Sequence, residues 1–150
     1  MTRLVWLGAA VAVALGCPRS PADPVTALLD ELTAAAEDRD ADRFGAALSE
    51  GFRGRGGLRR PEAVSQLRRY FAAYESVGLS VYGVEVDRSD GSATVRCVVE
   101  FSGRARSLAG LQGLLPPSAV YRFTLETAEE AETWRVQSAD WERVATDESR

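Results

Sequence analysis

The strongest constraint on the fold is a change in the spacing of apolar residues near Gly78. Before it, apolar side chains such as Val25, Leu28 and Leu32 recur every three to four positions, the period of a helix with one buried face. After it, apolar and polar residues alternate, the period of strands with one buried face. This order predicts an α+β domain in which N-terminal helices pack on a mostly antiparallel sheet of four to five strands.

Local signals mark where the helices begin. Asp23 and Pro24 predict the start of the first helix, because aspartate accepts from the first backbone N–H groups and proline suits the first turn. Asp40 predicts the cap of a short second helix that would carry Phe44 and Leu48 on one face. A third helix is predicted to start at Pro61.

Turn residues and the alternation of side chains indicate how the strands are arranged. Ser89-Asp90-Gly91 predicts a hairpin. In the last strand Trp134 and Val136 share one face, whereas Trp141, an odd number of residues further on, would lie on the other face. A bulge near Ser138 and Ala139 would return Trp141 to that face.

The first sixteen residues have the features of a secretory signal peptide. Arg3 gives a short basic start, and the apolar run Leu4–Leu15 rises about 18 Å as a helix, too little for a hydrocarbon core of about 30 Å. Ala14-Leu15-Gly16-Cys17 resembles a bacterial lipoprotein box, which implies cleavage after residue 16 and lipidation of Cys17, palmitate included. An ordinary signal-peptidase cut after Ala14, giving a soluble periplasmic or secreted protein, is the alternative.

These features predict four regions along the chain. Residues 1–16 are the signal peptide, 17–23 the lipidated cysteine and a short tether, 24–145 the folded domain, and 146–150 a disordered tail. The tether would hold the domain close to a bacterial membrane, facing the periplasm. Pro18 is not the aspartate that marks inner-membrane retention, which favours the outer membrane.

Composition restricts the chemistry and the partners. The chain has a formal charge of −4 and contains no histidine. An acidic chain is repelled by nucleic acid, and the missing histidine removes the usual metal ligand and the commonest general base. No metal spacing, phosphate-binding loop or cofactor motif is visible. We therefore expect no nucleic-acid partner, metal or cofactor.

The stretch Gly51–Arg60, GFRGRGGLRR, concentrates positive charge in a predicted loop. One interpretation pairs its arginines with the acids of residues 23–50. The other assigns them to binding an anionic surface of the cell envelope. The arginines concerned are Arg53, Arg55, Arg59 and Arg60.

The order of elements resembles the nuclear-transport-factor-2-like superfamily, whose cystatin-like α+β cone wraps a curved sheet around helices and a pocket. The resemblance covers about residues 24–145. It depends on Leu48–Phe52 after the second helix, Gly57-Leu58 leading into Pro61–Val64, and the Trp134–Val136 strand. It is closest to small exported or lipid-anchored bacterial members.

The resemblance also requires an enzyme to be considered, because the superfamily contains isomerases, dehydratases, epoxide hydrolases and cyclases. Those enzymes place a histidine or aspartate, often with a tyrosine or arginine, inside the cone. Asp140 is the candidate base here, since it falls among aromatic residues; a bulge acid bonded to backbone amides or an arginine is the alternative reading. Tyr82 and Tyr121 are the candidate pocket residues.

The connection from Gly103 to Ser118 is unusually apolar. We expect it to plug the open end of the cone; a homodimer contact or a lid over an apolar ligand is the alternative.

The sequence leaves two candidate functions. The first is a membrane-tethered, non-catalytic binding or accessory lipoprotein of the bacterial cell envelope. Its ligand would be a small apolar molecule or an anionic envelope component. The alternative is a small-molecule enzyme or carrier, of isomerase or dehydratase type, that uses the cone cavity.

Overall fold

The computed structural model describes residues 23–106 and 117–145. The predicted signal peptide, Cys17, most of the predicted tether, most of the apolar connection and the C-terminal tail lie outside these residues. The elements are α1 (Pro24–Glu37), α2 (Ala41–Ala46), β1 (Leu48–Gly54), a 3-10 turn (Arg55–Gly57), α3 (Arg60–Ala73), β2 (Tyr74–Ser89), β3 (Ser92–Ala105), β4 (Ser118–Glu130) and β5 (Thr133–Arg143).

The five strands form one curved sheet in the order β1-β5-β4-β3-β2. β1 runs parallel to β5 and every other neighbouring pair is antiparallel. The helices pack on one side of this sheet, which we call the inner face; the other side is the outer face. The predicted α+β cone is therefore confirmed.

Side-chain caps start the first two helices as expected. The Asp23 carboxylate accepts from the Thr26 backbone N–H at 3.0 Å, and Asp40 accepts from that of Arg43 at 2.9 Å. The expectation that Leu48 belongs to α2 is wrong. Tertiary pairing overrides the helical spacing there, because Leu48 pairs with Val136 and begins β1.

The apolar core lies between the inner face and the helices. α1 contributes Val25, Leu28 and Leu32 to a cluster that includes Val95 and Val136 of the sheet. A second cluster lies towards the end of α3 and the start of β2. Its buried members are Ala36, Ala41, Phe71, Tyr74, Val77, Phe101 and Ala119.

A bulge in β5 sets which residues share the inner face. Glu126 pairs with Ser138 but the next residue, Thr127, pairs with Val136, so Gln137 is the extra residue. The bulge expected in this strand is confirmed, one residue before the predicted position. It brings Trp141 to the face that carries Val136.

Across residues 23–106 and 117–145, no helix is long and apolar enough to cross a membrane.

Candidate functional site

Part of the inner face is only half-covered. Along β3, Val95, Cys97 and Phe101 are buried, whereas Val99 is half-buried. The aromatic side chains beside it are also half-buried, although they belong to interior strands of the sheet. We call them the aromatic row: Tyr121, Phe123 and Trp141. Solvent therefore reaches apolar rings on the face that the helices otherwise cover.

Strand pairing places the aromatic row in continuous contact. Tyr121 and Phe123 are two residues apart on β4, with ring centroids 6.3 Å apart. Trp141 lies directly opposite Phe123 on β5, at a centroid distance of 6.0 Å and an interplanar angle of 31°. These distances are typical of aromatic pairs, so the three rings form one apolar surface.

Three further rings adjoin the row at the end of α3. Tyr70, Tyr74 and Phe101 have pairwise centroid distances of 4.9, 5.6 and 5.2 Å. We call them the ring cluster. Gly103 makes room for it, because a Cβ there would lie 2.6 Å from Phe101 Cζ and 2.7 Å from Tyr74 Cδ1. Tyr121 packs against the same cluster.

The Tyr70 hydroxyl is held in its protonated form. Burial is the main cause that raises its pKa, followed by its hydrogen bond with Tyr74 and by the proximity of Tyr121. A tyrosine in this state donates or accepts hydrogen bonds but is not a base near neutral pH. Tyr70 was not predicted from the sequence; its spacing of four residues from Tyr74, which directly follows α3, was the available signal.

Arginines border the aromatic row. The Arg55 guanidinium donates to the backbone carbonyl of Trp141. Arg143 lies directly opposite Tyr121 in the β4–β5 ladder, and its side chain is exposed on the same face. Among the carboxylates of the described residues, none lies within ion-pair distance of either guanidinium.

Of the three pocket candidates from the sequence, only Tyr121 lies on the inner face. Asp140 is exposed on the outer face opposite Thr124, and its carboxylate accepts from the backbone N–H of Trp141 at 3.0 Å. The alternative reading of Asp140, an acid bonded to a backbone amide, is therefore the one that fits, because the bulge sends Trp141, not Asp140, inwards. Tyr82 is 48% exposed on the outer face, opposite Val98.

The arginine-glycine stretch lies at the β1 edge and leads into α3. Arg53 and Arg59 are exposed, Arg60 is half-buried, and Arg53 donates to the carbonyl of Phe52 at 3.0 Å. The pairing with acids of residues 23–50 is wrong for Arg53, Arg55, Arg59 and Arg60. Those acids take other partners, as when Arg43 binds Glu31 and Asp38; Arg68, beyond the stretch, does pair with Asp42 at 2.6 Å.

Two surface clefts lie away from the aromatic row. One, of about 510 Å³, is lined by residues 38–42 and the face of α3 that carries Arg68 and Phe71. The other, of about 430 Å³, lies where β2 begins and β3 ends, around Val77 and Gly103. In the described part of the chain, no group of three or more histidine, cysteine or acidic side chains is arranged to hold a metal ion.

Comparison with known proteins agrees with this architecture. The sequence matches no family model and no curated protein. Its structure is similar to that of a protein provisionally named a scytalone dehydratase from Novosphingobium aromaticivorans, at TM-score 0.70 and 12% identity over 81% of this chain and 83% of the other. A provisionally named dehydratase of the nuclear-transport-factor-2-like family from Streptomyces avermitilis gives TM-score 0.65 and 14% identity, over 82% and 95%.

An uncharacterized protein with a cystatin-like fold from Caulobacter vibrioides gives TM-score 0.64 and 18% identity, over 83% of this chain and 89% of the other. These similarities show that the chain has the nuclear-transport-factor-2-like, cystatin-like fold. They confirm the domain expected from the sequence.

Proposed function

We propose that the chain is a non-catalytic domain that binds a small, mainly apolar ligand on the aromatic row, carried on the bacterial envelope through a lipidated Cys17. The observation that carries the binding function is that Tyr121, Phe123 and Trp141 are only half-buried on a sheet face that helices cover elsewhere. Ligand sites are commonly concave, apolar and lined by aromatic side chains with a few polar groups.

The chemistry of the inner face favours binding over turnover. The acids of β4 and β5 beside the row, such as Asp140 and Glu142, belong to the outer face by their pairing with Thr124 and Arg122. The nearest hydroxyl with a displaced pKa, Tyr70, is held protonated. A general base must reach the proton that it removes, and none of the described carboxylates beside the row is oriented to do so.

Binding to the row is tested with 2-naphthol, a neutral aromatic probe, by titration against tryptophan fluorescence and by calorimetry. We expect saturable binding that Tyr121→Ala and Phe123→Ala weaken at least tenfold, because each removes part of the ring surface. Tyr82→Ala is the matched control, since Tyr82 is exposed on the outer face. Equal affinities for wild type and the Tyr121 and Phe123 variants refute the site.

The anchor is tested separately by metabolic palmitate labelling of the wild type and Cys17→Ser. We expect label only in the wild type. Equal labelling of both proteins refutes lipidation of Cys17 and leaves the ligand site unaffected.

A second candidate is a dehydratase or isomerase, which the meeting of Tyr70, Tyr74 and Tyr121 favours. Tyrosine hydroxyls can donate hydrogen bonds to the oxygen of a reacting carbonyl compound. Two similar structures carry the provisional name of dehydratase. The test is incubation with a panel of cyclic β-hydroxy ketones, with loss of water followed by NMR. We expect Tyr70→Phe to slow any turnover strongly; no turnover in the panel refutes this candidate for that class.

A further inference from the structure

We propose that the ligand of the aromatic row carries an anionic group, of carboxylate type, held at the rim by Arg143 and Arg55. This inference rests on the proposed binding function and specifies the class of ligand. It follows from the position of the two guanidinium groups relative to the rings, and from the absence of competing carboxylates on that side among the described residues.

The pairing of β4 with β5 determines the position of Arg143. It pairs with Tyr121 across the β4–β5 ladder, so the two side chains project from the same face as direct neighbours. It is two residues beyond Trp141 on β5, a distance of about 7 Å along the strand. Its side chain is exposed and long enough to reach over either ring.

Arg55 is placed by the end of β1. The last paired residue of β1, Gly54, lies opposite Ala139, so β1 does not extend to Trp141. The Arg55 guanidinium donates to the Trp141 carbonyl, which β1 is too short to reach. A guanidinium has five N–H donors, and this contact leaves others available for an oxygen ligand.

The nearby acidic side chains lie on the outer face of the sheet. Glu142 bonds Arg122 at 2.6 Å on the outer face, and Asp140 is exposed there as well. Within the described residues no carboxylate lies within ion-pair distance of Arg55 or Arg143. Counting the described residues alone, the rim is therefore locally positive, although the whole chain has a formal charge of −4.

The rings and the two guanidinium groups together favour a ligand that has an apolar body and an anionic head group. Guanidinium groups bind carboxylates through paired, charge-assisted hydrogen bonds, and the ring surface accommodates the apolar body. A neutral ligand of the same shape gains the ring contacts but leaves both guanidinium groups to water. Affinity should therefore depend on the charge of the head group and decrease with salt concentration.

The experiment compares 1-naphthylacetate with 1-naphthylacetamide, which share the ring and differ in charge. Calorimetry at low salt on the full mature chain gives the two dissociation constants. We expect the wild type to bind the carboxylate at least tenfold more tightly, and Arg143→Gln to remove most of that preference while leaving the amide affinity within twofold. Arg55→Gln should have the same effect, with its melting temperature measured because Arg55 also contacts the Trp141 carbonyl.

Arg96→Gln is the matched control, since Arg96 is exposed on the outer face, and it should preserve the preference. Equal affinity for the two probes in the wild type overturns the inference and leaves the aromatic site standing. A preference that survives in both Arg143→Gln and Arg55→Gln also overturns it. If neither probe binds, the proposed function fails together with the inference.

Discussion

Replacing Gly103 by alanine should destabilise the domain through a steric conflict in the ring cluster. A Cβ at this position would lie 2.6 Å from Phe101 Cζ and 2.7 and 2.9 Å from two atoms of the Tyr74 ring, against ordinary contacts of 3.4–4 Å. Both rings are buried, at 4% and 0% exposure, so neither can move into solvent.

The magnitude follows from two opposed effects. Overpacking a buried core costs about 1–3 kcal/mol, and the burial of both rings favours the upper part of that range. Replacing glycine by alanine gains about 0.4–1 kcal/mol by restricting the unfolded chain. The net loss should be about 1–2 kcal/mol, and each kcal/mol lowers the melting temperature of a domain this size by about 2–8 °C.

The assay is urea denaturation followed by tryptophan fluorescence and by far-UV circular dichroism. Gly51→Ala is the matched control: Gly51 is also in a strand, but a Cβ there meets nothing within 4 Å, so this variant should be no less stable than the wild type. Phe101→Leu in the Gly103→Ala background should recover part of the loss. If Gly103→Ala and Gly51→Ala are equally stable, the steric argument is refuted.

Three other predictions concern separate parts of the domain. Gly45→Ala should lose about 1–3 kcal/mol, because its Cβ would clash with a methyl of Val64, and Val64→Ala should restore most of the loss; urea denaturation of the single and double variants checks this. Thr127→Val should lose about 1 kcal/mol in the same assay, because the buried hydroxyl donates to a backbone carbonyl of β3 at 2.9 Å. The Arg88 guanidinium is the main cause that holds the pKa of Asp23 at about 2, below its ordinary value of 3.8. Because this pKa is lower in the folded chain than in the unfolded one, the charged carboxylate stabilises the fold above pH 4, and that contribution is lost as the pH falls towards 2. The melting temperature of Asp23→Asn should therefore fall less over this pH interval than that of the wild type.

Much of the architecture follows from local signals. The caps at Asp23 and Asp40 depend on neighbours within a few residues, and the structure confirms both of them. β1 was missed because its partner, β5, lies at the other end of the domain. Local spacing could not reveal a strand whose pairing is that remote.

The candidate site was only partly predictable, because one extra residue decides which side chains face inwards. The bulge expected in β5 brings Trp141 inside, and the carboxylate of Asp140 lies outside, bonded to a backbone amide as the alternative reading had it. Tyr121, a candidate from the sequence, lies on the inner face. Tyr70 was missed because its contact with Tyr74 and Phe101 depends on how α3 meets the sheet.

The parallel pairing of β1 with β5 has a consequence for biosynthesis. Leu48 cannot acquire its strand partner until Val136 has been synthesised, so the sheet closes only when nearly the whole domain has left the ribosome. Closing so long a loop is entropically unfavourable and slows folding. A chain truncated before β5 would leave β1 without its neighbouring strand.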